Sequence, residues 1–121
     1  MYRSFYYLST CFMISLLSCA YNVEEDLYPP VACDTTTISY STDISPIIIN
    51  RCYDCHDEQA VPSGIRLDGH ANLKNMVDAG RLIGVLRHEN GFSPMPKDRG
   101  LLPECEILQI ERWVLDGTPN N

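Results

Sequence analysis

Cys52-Tyr53-Asp54-Cys55-His56 is the stretch on which the reading of this chain turns. Its C-x-x-C-H spacing is that of a c-type haem attachment site. Two thiols three residues apart can each add to one vinyl group of the same porphyrin, and a histidine directly after the second reaches the iron from the proximal side. A group held covalently in this way needs less packing to retain it, which suits a chain of 121 residues that makes one domain at most. Five residues are a short pattern, so the flanking sequence has to separate haem from its rivals.

Upstream, Arg3 supplies a basic start and residues 8–17 form an apolar stretch broken by small polar residues. The run is too short for a comfortable membrane span and reads as an export signal over residues 1–18. It closes on Leu16-Leu17-Ser18-Cys19, which resembles the lipobox of bacterial lipoproteins. That resemblance implies acylation of Cys19, and acyl chains hold a protein at a membrane surface at roughly 0.8 kcal/mol per buried methylene. Signal cleavage at a nearby residue and an uncleaved anchor are the competing readings. Residues 19–32 are acidic, contain Pro29 and Pro30, and lack periodicity, as expected of a tether. The globular part is then expected over residues 33–121.

Charge narrows the partners. The full chain has 9 basic and 16 acidic side chains, a formal charge of −7; losing Arg3 with the signal leaves −8. Haem propionates add to that negative balance. Nucleic acid is an implausible ligand for such a surface, whereas a basic face on a redox partner suits it. Plain solubility explains the same charge equally well.

The six cysteines divide by position. Cys11 leaves with the signal, Cys19 takes lipid, and Cys52 with Cys55 takes haem. Cys33 and Cys105 remain as a pair in an oxidising compartment, where disulfides persist. The alternative is two buried free thiols. A bridge would enclose the chain from residue 33 to residue 105, which the chain-entropy model values at roughly 4 kcal/mol.

Helical periodicity frames the motif. Pro46 fits the opening turn of a first helix after the Ser/Thr-rich residues 35–42, with Ile44, Ile47 and Ile48 on one face. Residues 59–69 read as loop. Residues 71–79 predict a helix with Leu73, Met76 and Val77 inward, ended by Gly80, and residues 81–87 a shorter one weakened by Gly84. Residues 90–100 are loop again. Pro103 opens a last helix in which Glu104 and Glu106 favour the positive end of the dipole. Ile107, Ile110 and Val114 form its seam, Leu108 and Leu115 widen it, and Gly117 stops it. Trp113 either shields a prosthetic group or fills the core.

A second anchor is Phe92-Ser93-Pro94-Met95-Pro96. Prolines on both sides of Met95 stiffen the segment that would present its thioether. Over residues 43–117 the arrangement resembles the class I cytochrome c family: a helix entering Cys52-x-x-Cys55-His56, a methionine-bearing loop, and a closing C-terminal helix. The loop is similar to that of small bacterial cytochrome c domains often found in membrane-bound lipoproteins, and the pair Cys33/Cys105 looks like a disulfide variant of them. The resemblance implies a small all-α fold wrapped around one covalent haem c, with His56 as proximal and Met95 as distal iron ligand. Met76 is read as a packing residue. His70 and His88 are rival distal ligands, His88 the stronger because it immediately precedes the loop.

The implied function is electron transfer by a lipid-anchored mono-haem carrier in the envelope of a Gram-negative-type bacterium, facing the periplasm or the cell surface. It would exchange electrons with membrane-associated redox donors and acceptors. No isolated nucleophile or second haem motif points to an enzyme. The alternatives are a haem-bearing subunit of a peroxidase or dehydrogenase, or a haem-based sensor. A thioredoxin-like site would need a βαβ context that the pattern lacks. A zinc site built from Cys52, Cys55, His56 and a further histidine lacks a second paired cluster.

Overall fold

A computed structural model of the chain describes residues 33–59 and 64–121. The expected signal (1–18), the lipidation site Cys19 and the tether (19–32) lie outside the described residues. Those described are helical, with no strand among them, and none of their helices is long and apolar enough to cross a membrane. A π-helical turn, Tyr40–Ile44, runs into α1, Ser45–Arg51. One turn of helix, α2, covers Tyr53–His56. Then follow α3 (Gly69–Asp78), α4 (Leu82–Leu86) and α5 (Glu104–Leu115).

The first helical run starts earlier than its sequence suggests, at Tyr40 inside the Ser/Thr-rich stretch. Its initial N–H groups find acceptors that local reading cannot see. Tyr40 N–H donates to Asn121 Oδ1 at 2.8 Å, Ser41 N–H donates to the Asn121 carbonyl oxygen at 2.9 Å, and Asp43 Oδ2 accepts from Ser39 N–H at 2.8 Å. Pro46 accounts for the wide turn. In a regular α-helix its ring would press on the carbonyl of Thr42; here Ser45 N–H bonds back to Tyr40 O, one residue further than α geometry.

Two helix ends follow from glycine. Gly80 and Gly117 have φ of 67° and 87°. At each, the next N–H reaches back five residues, Arg81 to Met76 O and Thr118 to Trp113 O, while the glycine N–H bonds Val77 O and Val114 O. This paired bonding occupies carbonyls the helix would otherwise leave open.

The core joins Ile44, Ile47 and Ile48 from the first run to Leu73 of α3, Leu82 and Leu86 of α4, and Ile107, Ile110 and Trp113 of α5. Ile44, Leu73, Ile107 and Ile110 are fully buried; aliphatic side chains in that state contribute roughly 1.5–3 kcal/mol each by leaving water. The seam of α5 is thus Ile107, Ile110 and Trp113, with Val114 partly buried beside it. Leu115 is 80% exposed and Leu108 38%, so they do not widen it. Trp113 is a core residue: its ring lies 5.9 Å from Tyr40 and 5.8 Å from His70, and its Nε1–H donates to Pro119 O at 2.9 Å.

Cys33 and Cys105 stand at bonding distance, with sulfurs 2.08 Å apart. Arg51 donates to both Glu106 carboxylate oxygens at 2.9 and 2.6 Å, linking the end of α1 to the first turn of α5. Arg87 bridges α4 to α5 through Glu104 and Glu111, at 2.7–2.9 Å. The same guanidinium holds the Glu111 carboxyl below the ordinary range for its type.

Candidate haem attachment site

The chain breaks its helix at Cys52 (φ −122°, ψ −32°) and resumes at Tyr53, so the motif straddles a kink between α1 and α2. Cys55 N–H and His56 N–H both donate to the Cys52 carbonyl, at 3.1 and 3.0 Å. Both thiols are unbridged; Cys52 is half-buried and Cys55 exposed. Burial pushes the Cys52 thiol up to about 11, the nearby Glu106 carboxylate adds to the rise, and Arg51 opposes it.

His56 is held from two sides by the segment after the motif. Its backbone carbonyl accepts from Leu67 N–H at 2.8 Å, and its Nδ1 lies 2.8 Å from the Ile65 carbonyl oxygen. A carbonyl can only accept, so Nδ1 carries a hydrogen, which in the neutral ring leaves the lone pair on Nε2. Such a partner fixes the tautomer and ring orientation of a ligating imidazole and raises its basicity. Tyr53 reinforces the segment, its hydroxyl oxygen accepting from Gly69 N–H at 3.0 Å.

Met95 is half-buried and anchored through its backbone. Its N–H donates to Val85 O at 2.9 Å, and its carbonyl faces His88 Nε2 at 3.1 Å. The loop therefore lies on α4 and its end. Gly84 permits this contact. A Cβ there would come within 2.6 Å of Cδ2 and Cε2 of Phe92, so the glycine that weakens α4 as a helix makes room for the loop's aromatic ring. Gly84→Ala is expected to destabilise the domain by about 1–3 kcal/mol through overpacking. At roughly 4–8 °C per kcal/mol for a domain of this size, the thermal midpoint should fall by several degrees or more. An unchanged midpoint would mean that Phe92 does not occupy this position.

The other histidines have employment of their own. His70 Nε2 lies 2.9 Å from Thr118 O and its ring is edge-on to Tyr40 at 4.9 Å, in the aromatic cluster with Trp113. His88 spends Nε2 on the Met95 carbonyl. Met76 packs against the core. Among the described residues, no group of three His, Cys, Asp or Glu side chains converges as a metal-ligand cluster would. Between the residues after Met95 and the motif, Arg99 Nη2 approaches Asp54 Oδ2 at 4.0 Å; both side chains are largely exposed, a setting worth roughly 0–1 kcal/mol.

What the sequence conceals at this candidate site are backbone carbonyls. Ile65 and Val85 act through main-chain oxygens, for which residue type is no signal. No protein-family model matches the chain, and neither a curated protein nor a solved structure does.

Proposed function

We propose that the chain is a c-type cytochrome that carries electrons. The observation that carries this reading is the His56 ring: Nδ1–H bonded to Ile65 O, Nε2 with its lone pair available, one residue after a pair of unbridged thiols. The donor set fits haem c. Cys52 and Cys55 would form the two thioethers, His56 the proximal ligand, and Met95 the distal one, with the five helices enclosing the group. His88 is less suited to the distal position, because its Nε2 already donates to Met95 O. A zinc site is less favoured too, for want of a converging donor cluster among the described residues.

When bound, haem c supplies a one-electron iron couple. The protein's part would be to keep His56 and Met95 in place as its two donors. Ile65 O fixes the imidazole, and the α4 contacts fix the backbone that presents the thioether. Methionine with histidine raises the reduction potential relative to most other donor pairs. With His56 and Met95 both held as donors, no substrate would need to bind at iron, which favours a carrier over a peroxidase or dehydrogenase subunit or a gas sensor. The acidic surface suits basic faces on redox donors and acceptors. Lipid at Cys19 would confine these encounters to a membrane surface of the cell envelope.

The test is a visible spectrum, oxidised and reduced, of protein matured with haem-attachment machinery and extracted under denaturing conditions. The parent should retain haem, whereas Cys52→Ala/Cys55→Ala should release all of it. A low-spin spectrum with the weak red-region sulfur-to-iron band is expected. Retained high-spin haem would favour an enzyme or sensor, and no retained haem would refute the reading.

A further inference from the structure

Helix α4 ends in an unusual way. Its capping residue Arg87 is followed by His88 at φ 53°, a left-handed conformation that the stops of α3 and α5 give to glycine, at Gly80 and Gly117. Glu89 N–H reaches back to Gly84 O at 2.9 Å, so His88 stands where a terminating glycine normally does. A non-glycine residue there carries a backbone penalty. Histidine brings in exchange a ring whose Nε2 lies 3.1 Å from the Met95 carbonyl oxygen. The backbone turn aims the ring, and the ring holds the methionine.

We infer that His88 is a positioning residue for Met95: it ties the methionine's carbonyl to the end of α4, so that the thioether is held for the iron rather than released. The inference rests on the haem reading above. Val85 O and His88 together hold the Met95 peptide from both sides, one through N–H and the other through C=O. Without the ring, Met95 keeps a single anchor and its loop swings more readily. The thioether then yields the sixth position more often to a competing ligand.

Glycine is the informative replacement, because it is at ease at positive φ and preserves the helix stop while deleting the ring. In haem-loaded His88→Gly, covalent haem and the thermal midpoint should be retained, while the affinity of the ferric protein for added imidazole rises about tenfold, equivalent to about 1.4 kcal/mol less hold on the thioether. His88→Gln, whose amide can donate to the same carbonyl, should recover much of the parent's resistance. Unchanged imidazole affinity in His88→Gly would overturn the inference. So would a variant that turns wholly high-spin while Met95→Ala stays low-spin, since His88 would then be the ligand itself. Absence of covalent haem or of the sulfur-to-iron band in the parent would overturn the haem reading or the Met95 assignment, and this inference with it.

Discussion

Cys33→Ala/Cys105→Ala is expected to lose about 4 kcal/mol of stability, the chain-entropy value for releasing a bridge across a sequence separation of 72. Small domains have only about 5–15 kcal/mol in hand, so a large part of the margin would go. The ion pairs at the first turn of α5 cannot replace it. The Arg51–Glu106 and Arg87–Glu104 pairs each have a partner substantially open to solvent, and exposed pairs contribute roughly 0–1 kcal/mol. Covalent haem would not substitute either, since thioethers at Cys52 and Cys55 restrain only the few residues between them. The variant should remain helical at low temperature and unfold at a midpoint lower by about 15 °C or more. In urea the midpoint should fall, and the slope should rise because an unbridged unfolded chain exposes more surface. If thermal and urea midpoints match the parent, or if thiol mapping of the parent finds Cys33 and Cys105 both reactive, the bridge is not part of the native protein.

The helices were legible in the sequence because apolar spacing and glycine stops act locally. Leu73 with Gly80, and Ile107 with Ile110 and Gly117, mark α3 and α5 without reference to the rest of the fold. The start of the first run was not legible. Tyr40 and Ser41 are helical because Asn121, far away in sequence, accepts their N–H groups, and no pattern around Tyr40 announces that. Leu115 misleads for the opposite reason: it has the right residue type and a plausible spacing, yet α5 turns it past the edge of the core into solvent. At the site, the residue types Cys52, Cys55, His56 and Met95 were visible, while what supports them was not. Ile65 O and Val85 O are main-chain atoms. Gly84 reads in the sequence as a weakness in a helix, and only the position of Phe92 over it explains the glycine. His88 reads in the sequence as a rival ligand, and that its Nε2 lies 3.1 Å from the Met95 carbonyl oxygen is visible only in the fold.

On the proposed haem reading, Met95→Ala would separate the distal ligand from its scaffold more cleanly than most ligand substitutions. The residue's two backbone hydrogen bonds, to Val85 O and from His88 Nε2, are open to alanine as well, so the loop should keep its place on α4. Met95 is half-buried rather than a filled core position, so its truncation should cost less than the 2–5 kcal/mol typical of core methionines. The variant should therefore fold and retain covalent haem, and the change should concentrate at the iron. The sulfur-to-iron band should vanish, added imidazole should bind readily, and the potential should fall by on the order of 0.1 V, a fraction of the roughly 0.8 V that axial ligands command. Function follows from the comparison with the parent. A carrier keeps its sixth position closed, so the parent should react slowly with peroxide and the variant faster, the thioether having been the barrier. An enzyme subunit or sensor with a naturally open site would react alike in both forms. An unchanged spectrum and potential in Met95→Ala would remove the methionine from the iron, and with it the reason for reading a closed, electron-carrying centre.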